Sequence, residues 1–255
     1  MSIEEKVLSF FPNALPVPDY FGYAKRISEH HGFRDPNTIG GIATCADELE
    51  RPLEEYCYDV WGEAFRLGAL AGFPNVGISD IEALRHHAPN QEKLGVFYFP
   101  HLGFSAEGQL GLARRHGHLH DTPSCGSLSK LLDEFLAAHN AGEVFALPDR
   151  DEDPNQFAVA ATLLPEMDDV LAAQHPIRDI TERCVLAGMA RFLSLLEDQP
   201  NEFIIFAGIH LNTPPSEEDY IVPVFGILGT SGKIIETGED AYYDGADLLA
   251  MMNEF

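Results

Sequence analysis

Thr38-Ile39-Gly40-Gly41-Ile42-Ala43-Thr44-Cys45-Ala46-Asp47-Glu48-Leu49-Glu50-Arg51-Pro52 is the stretch on which the fold turns. Its first seven residues are small or β-branched and uncharged, which suits a buried strand. Cys45 stands at the end of that strand. Pro52 fits the first position of a helix, where its missing N–H costs nothing. The apolar spacing then predicts one long amphipathic helix through Tyr56, Val60, Ala64, Leu67 and Leu70 to a stop at Gly72-Phe73-Pro74.

Working outward, Gly95-Val96-Phe97-Tyr98-Phe99 reads as a second strand, ended by Pro100-His101. Residues 102–124 are rich in Gly, His and Arg and read as an irregular loop, and a long loop inside a compact domain tends to be functional. Cys125 follows it, just before a helix from Ser127 to His139 that carries Leu128, Leu131, Leu132, Phe135 and Leu136 on one face. Further helices are predicted over 3–11, 19–31, 79–87, 156–173, 179–198 and 244–253. Asp149 to Pro154 reads as a charged turn. Phe203–Ile209 and Tyr220–Ile227 read as strands, and Thr230-Ser231-Gly232-Lys233 as a turn into Ile234-Ile235. Helices and strands alternate, so the class is α/β. No composition shift divides the chain, which reads as a single domain over 1–255.

The formal net charge is −25. Such a surface repels phosphate backbones and anionic lipid, which argues against nucleic-acid and membrane partners. No apolar run is long enough to span a bilayer. The first residues are acidic and lack the order of a signal peptide, so a soluble, cytoplasmic protein is expected. Four cysteines are too few for a disulfide scaffold. Cys57 and Cys184 lie in apolar helical patterns and read as core. Eight of the eleven histidines fall between His30 and His120, a crowding that surface solvation does not require.

Cys45, His101 and Cys125 would offer two thiolates and one imidazole, leaving one tetrahedral position free, as catalytic zinc needs. Spacing alone leaves a second reading open, in which both cysteines are small buried apolar residues and His101 is a hydrogen-bonded core histidine. It also leaves open a cysteine hydrolase built on one of the thiols with His101. The alternating His116, His118 and His120 read as an exposed polar loop. His86 and His87 could shuttle protons, or simply pack.

Several motifs occur together in order: Cys45-Ala-Asp47-Glu-Leu-Glu-Arg51, Gly68-Ala-Leu-Ala-Gly72-Phe73-Pro74-Asn-Val-Gly77, His86-His87-Ala-Pro89, Phe99-Pro100-His101-Leu-Gly103, Arg115-His-Gly117 and Ser124-Cys125-Gly126. This series resembles the limiting CO2-inducible B/C family, the Cys-, Gly- and His-rich domain of θ-type carbonic anhydrases, allied to the β class. The resemblance implies a β-carbonic-anhydrase-like central sheet flanked by helices. It implies Zn2+ held by Cys45, His101 and Cys125, reversible hydration of CO2 to bicarbonate and a proton, and a homodimer. It further implies a dyad of Asp47 with an arginine. In ordinary β-carbonic anhydrases that arginine stands two residues after the aspartate. Here position 49 is Leu, so Arg51 is the expected partner, with Arg66 and Arg115 as the other candidates. The alternative function is a zinc-binding but catalytically silent member acting as a scaffold or bicarbonate sensor.

Overall fold

The computed structural model describes residues 1–91, 93–196, 199–230 and 233–237. Its strands are β1 (Leu15–Pro16), β2 (Thr38–Thr44), β3 (Ala64–Arg66), β4 (Lys93–Phe99), β5 (His101–Gly103), β6 (Leu112–Ala113), β7 (Thr122–Pro123), β8 (Glu202–Asn212), β9 (Tyr220–Thr230) and β10 (Lys233–Thr237). Its α-helices are α1 (Ile3–Phe10), α2 (Val17–His30), α3 (Arg51–Trp61), α4 (Ile78–His87), α5 (Gly126–Ala141), α6 (Pro154–Leu163), α7 (Met167–Ala172) and α8 (Pro176–Leu196).

One mixed sheet organises the chain, in the order β1-β9-β8-β4-β2-β3, with β10 also on β9 and β5 also on β8. The centre, β8-β4-β2-β3, is parallel, and β9 runs antiparallel to β8. Parallel centres are covered on both faces, so their strands are apolar throughout. Every residue of β2 is accordingly buried. Alternation then assigns the faces. Leu94, Val96, Tyr98, Ile205 and Ala207 pack with α1, α4 and α8. Ile42, Phe97, Phe99, Ile204 and Phe206 pack with α2 and α3.

Gly40 and Gly95 stand opposite each other in the β2–β4 register. They leave a hollow for Trp61: a Cβ at Gly95 would lie 2.5 Å from its ring, and one at Gly40 3.4 Å. Trp61 fills that hollow, stacked on Phe97 at 4.5 Å between centroids.

The long helix expected from Pro52 to Leu70 is two elements. α3 stops at Trp61 because Gly62 takes φ of +83°, a left-handed conformation that glycine tolerates. The chain then turns back, and Ala64–Arg66 forms the edge strand β3 beside β2. The spacing of Ala64 and Leu67 imitated a continuing helix, whereas sheet pairing decided the outcome. The predicted helix 156–173 is likewise divided, by a 3-10 turn over Leu164–Glu166 that contains Pro165. Cys57 and Cys184 are buried, as expected of core thiols. Ser231, Gly232 and the predicted helix 244–253 lie outside the described residues. No described helix is long and apolar enough to cross a membrane.

Candidate metal centre

Three chain segments converge where β2, β4 and β8 reach their C-terminal ends. β2 delivers Cys45. After β4, Pro100 interrupts the strand, and β5 resumes along β8 with His101 opposite His210. Both flanks of His101 are therefore tied to one long strand, which fixes its ring. The segment 104–125 folds back on β5: Gly103 N–H donates to Ser124 O at 3.1 Å, and Ser124 N–H to Gly111 O at 2.9 Å. This return places Cys125 at the N-cap of α5. It also explains why a loop so rich in glycine was needed, since a Cβ at Gly103 would meet the Leu112 backbone at 2.6 Å.

The donor atoms of Cys45, His101 and Cys125 all lie within 4.8 Å of one another, and all three residues are buried. The two sulfurs are 3.8 Å apart. Tetrahedral Zn–S bonds of about 2.3 Å would set them about 3.8 Å apart. His101 Nε2 is buried and has no hydrogen-bond partner. An orphaned buried nitrogen facing two sulfurs is costly unless something ligates it. The donor set thus fits a metal of zinc's preferences, and it forms a candidate metal-binding site.

Electrostatics agree. The hydrogen bond from Cys125 is the main influence lowering the Cys45 thiol, to about 5, with His101 adding to it against the effect of burial. Cys125 is pushed up in turn by Cys45 and by burial. A dication bound between the two sulfurs would take both as thiolates and release their protons.

Asp47 begins the 3-10 turn Glu48–Glu50, and its Oδ1 accepts from Leu49 N–H at 3.2 Å. Arg115, from the β6–β7 connection, grips the same carboxylate with both terminal nitrogens, at 2.7 Å each. Such forked, charge-assisted pairs are among the stronger polar contacts. Arg115 is itself anchored, Nε to Thr122 Oγ1 at 2.9 Å and Nη2 to Pro123 O at 3.2 Å. Burial would raise the Asp47 carboxyl, but Arg115 and His101 outweigh it and hold it down at about 2. Asp47 Oδ2 stops 3.8 Å from His101 Nε2.

The expected pairing with Arg51 is corrected. Arg51 opens α3, exposed, and is helical at φ −56° and ψ −43° despite the following proline. Arg66 is also excluded as the partner, because it forms an ion pair with Glu54. His86 and His87 sit at the end of α4, where His87 Nδ1 contacts Ala83 O at 2.8 Å. His116, His118 and His120 are exposed. Among the described residues they form no metal-binding group.

The sequence matches, over residues 14–225, the family described as limiting CO2-inducible proteins B/C beta carbonic anhydrases. The chain belongs to this family. The solved limiting CO2-inducible B/C structures agree. PtLCIB4, a homolog of the limiting CO2-inducible protein LCIB, is 26% identical, with 91% of this chain and 98% of that chain covered at a TM-score of 0.82. LCIB itself shares the fold at 20% identity and a TM-score of 0.67, with 90% of this chain and 97% of that chain covered. No curated protein sequence matches the chain.

Motif reading of a limiting CO2-inducible B/C sequence does not reach the layer behind the ligands. Ser124, Glu50 and Asn212 surround His101 in the buried interior, and His210 Nδ1 contacts Glu50 behind them. Glu50 stands inside the quoted Cys45–Arg51 motif, where a polar residue three after Asp47 was the available signal. His210 and Asn212 alternate at the end of a strand that is otherwise apolar, a break in pattern that marks buried polar function.

Proposed function

We propose that the protein is a zinc-dependent carbonic anhydrase that interconverts CO2 with bicarbonate and a proton. The observation that carries this reading is the Arg115–Asp47 fork beside the Cys45, His101 and Cys125 donors. Zinc would supply Lewis acidity there. Cys45 and Cys125 would hold it as thiolates that neutralise a dication, and His101 would contribute its Nε2 lone pair. Asp47 is held ionised and acceptor-only, so at neutral pH it can orient a donor placed in the fourth position. Arg115 keeps both carboxylate oxygens engaged, which withholds Asp47 from the fourth position. Arg115 Nη1 also pairs with Glu48 at 2.5 Å, so the guanidinium is balanced by two carboxylates and serves to hold Asp47 in place. Asp47 is the residue proposed to act on substrate and Arg115 to position it, and Arg51 does neither.

Zinc content and stopped-flow CO2 hydration on the same preparation test the reading. About one zinc per chain, following the one-site ligand count, and hydration that chelation abolishes are expected. A zinc-loaded protein without hydration would instead support the silent, bicarbonate-sensing role. Absence of zinc would remove the reading altogether. The protein is further proposed to be a homodimer, which light scattering checks by mass.

A further inference from the structure

Among the described residues, the polar partners of His101 Nδ1 are oxygens. Asn212 Oδ1 lies at 2.6 Å, Ser124 Oγ at 3.2 Å and Glu50 Oε1 at 3.3 Å. The Ser124 hydroxyl has its own acceptor in Asn212 Oδ1 at 3.3 Å. Nδ1 therefore carries a proton, so in the neutral ring the lone pair falls on Nε2, on the side of the two sulfurs.

That outcome depends on which way the Asn212 amide points, and a rotated amide would present N–H2 to Nδ1. Glu50 decides it. Its Oε1 accepts from Asn212 Nδ2 at 3.2 Å and from His210 Nδ1 at 2.8 Å. A rotated amide would press its oxygen against this buried carboxylate. Glu50, His210 and His101 are each 0% exposed, so no solvent is at hand to soften that clash.

We propose that Glu50 and Asn212 are positioning residues that select the tautomer of His101. Glu50 orients the Asn212 amide, the amide oxygen takes the Nδ1 proton, and Nε2 is left as a ligand atom. The inference rests on the metal-site reading above. Partners behind a ligating histidine commonly act in this way, and their loss costs metal affinity roughly 10–100-fold.

The test uses Glu50→Gln, Asn212→Asp and their combination in the full chain. Asn212→Asp puts a carboxylate against Glu50. Glu50→Gln removes the charge that orients the amide. The double variant exchanges the two groups, so that the amide now at position 50 can donate to the carboxylate now at position 212. That carboxylate can in turn accept from His101. Zinc affinity by chelator competition should fall about 10–100-fold in each single variant, and recover to within about threefold of the parent in the double, by restored pairing. Nitrogen-15 NMR of the metal-free parent, taken above the pH at which the ring is an imidazolium, should show neutral His101 protonated at Nδ1, with the Nε2–H tautomer populated in Glu50→Gln. Additive losses in the double variant, or unaltered affinity in both singles, would overturn the proposal. So would a His101 tautomer that is the same in the parent and in Glu50→Gln. If a single variant does not fold, the parent spectrum still decides, because an Nε2–H tautomer there refutes the inference. Failure of the parent to bind zinc would count against the function, whereas the tautomer comparison tests this inference separately.

Discussion

Arg115 holds both carboxylate oxygens of Asp47, each at 2.7 Å, across 68 positions of sequence. The two residues come from different loops, and each loop also carries a thiol: Asp47 follows Cys45, and Arg115 precedes Cys125. The fork therefore ties together the two segments that carry the two thiols.

Replacing Arg115 with Ala should lower CO2 hydration by roughly 100-fold, the scale for losing one preorganised charged donor, with zinc retained. Arg115→Lys should not restore it, because one ammonium cannot make the forked pair. Arg51→Ala should hydrate CO2 at close to the parental rate. Stopped-flow assays on the three zinc-quantified variants check this. A full loss in Arg51→Ala with none in Arg115→Ala would reverse the assignment.

Cys45→Ala and Cys125→Ala should each strip or greatly weaken zinc, measured by elemental analysis after dialysis. Chelation of the parent should lower its melting temperature, because a metal that binds only the folded chain stabilises it by mass action. Zinc retained in full by both variants would remove these residues as ligands.

His210 supplies a pH dependence. Burial lowers its pKa, but Glu50 and Asp219 outweigh burial and raise it to about 10. A raised histidine stabilises the fold fully below its unfolded value of about 6.5. That stability is lost as pH climbs through the folded value. Denaturant unfolding of metal-free protein should therefore weaken between pH 7 and 10. His210→Gln should be less stable than the parent, with a difference that shrinks toward pH 10. A difference that grows with pH would contradict the assignment.

Gly95→Val should disturb the core without touching the site. Its Cβ would stand 2.5 Å from the Trp61 ring, and overpacking of this kind costs about 1–3 kcal/mol. Calorimetry should show a fall in melting temperature of about 2–4 °C per kcal/mol, while the zinc content of the folded protein stays at the parental level.

Much of this was legible before any coordinates. The uncharged run before Cys45 and the aromatic run before His101 announced strands because burial on both faces leaves little room for polar residues. The three donors of the candidate metal site stood in ordered motifs, each at the end of an element. What was hidden depended on tertiary return. Arg115 lies far from Asp47 along the chain, and no local period relates them. The α3 boundary was concealed because Ala64 and Leu67 suit a helix as well as a strand, and Gly62 alone broke the tie. The oxygens around His101 Nδ1 come from three separate segments, which no single window of sequence contains.

The turn Glu48–Glu50 brings one carboxylate toward each nitrogen of His101: Asp47 is 3.8 Å from Nε2, and Glu50 is 3.3 Å from Nδ1. A 3-10 turn advances about 120° per residue, so positions three apart project the same way. Inserting one residue between them would swing Glu50 to another side of the turn while Asp47 kept its place. The length of this segment therefore sets the spacing of the two carboxylates about the ring. A gain or loss of a single residue between the two acids would uncouple the two sides of the imidazole.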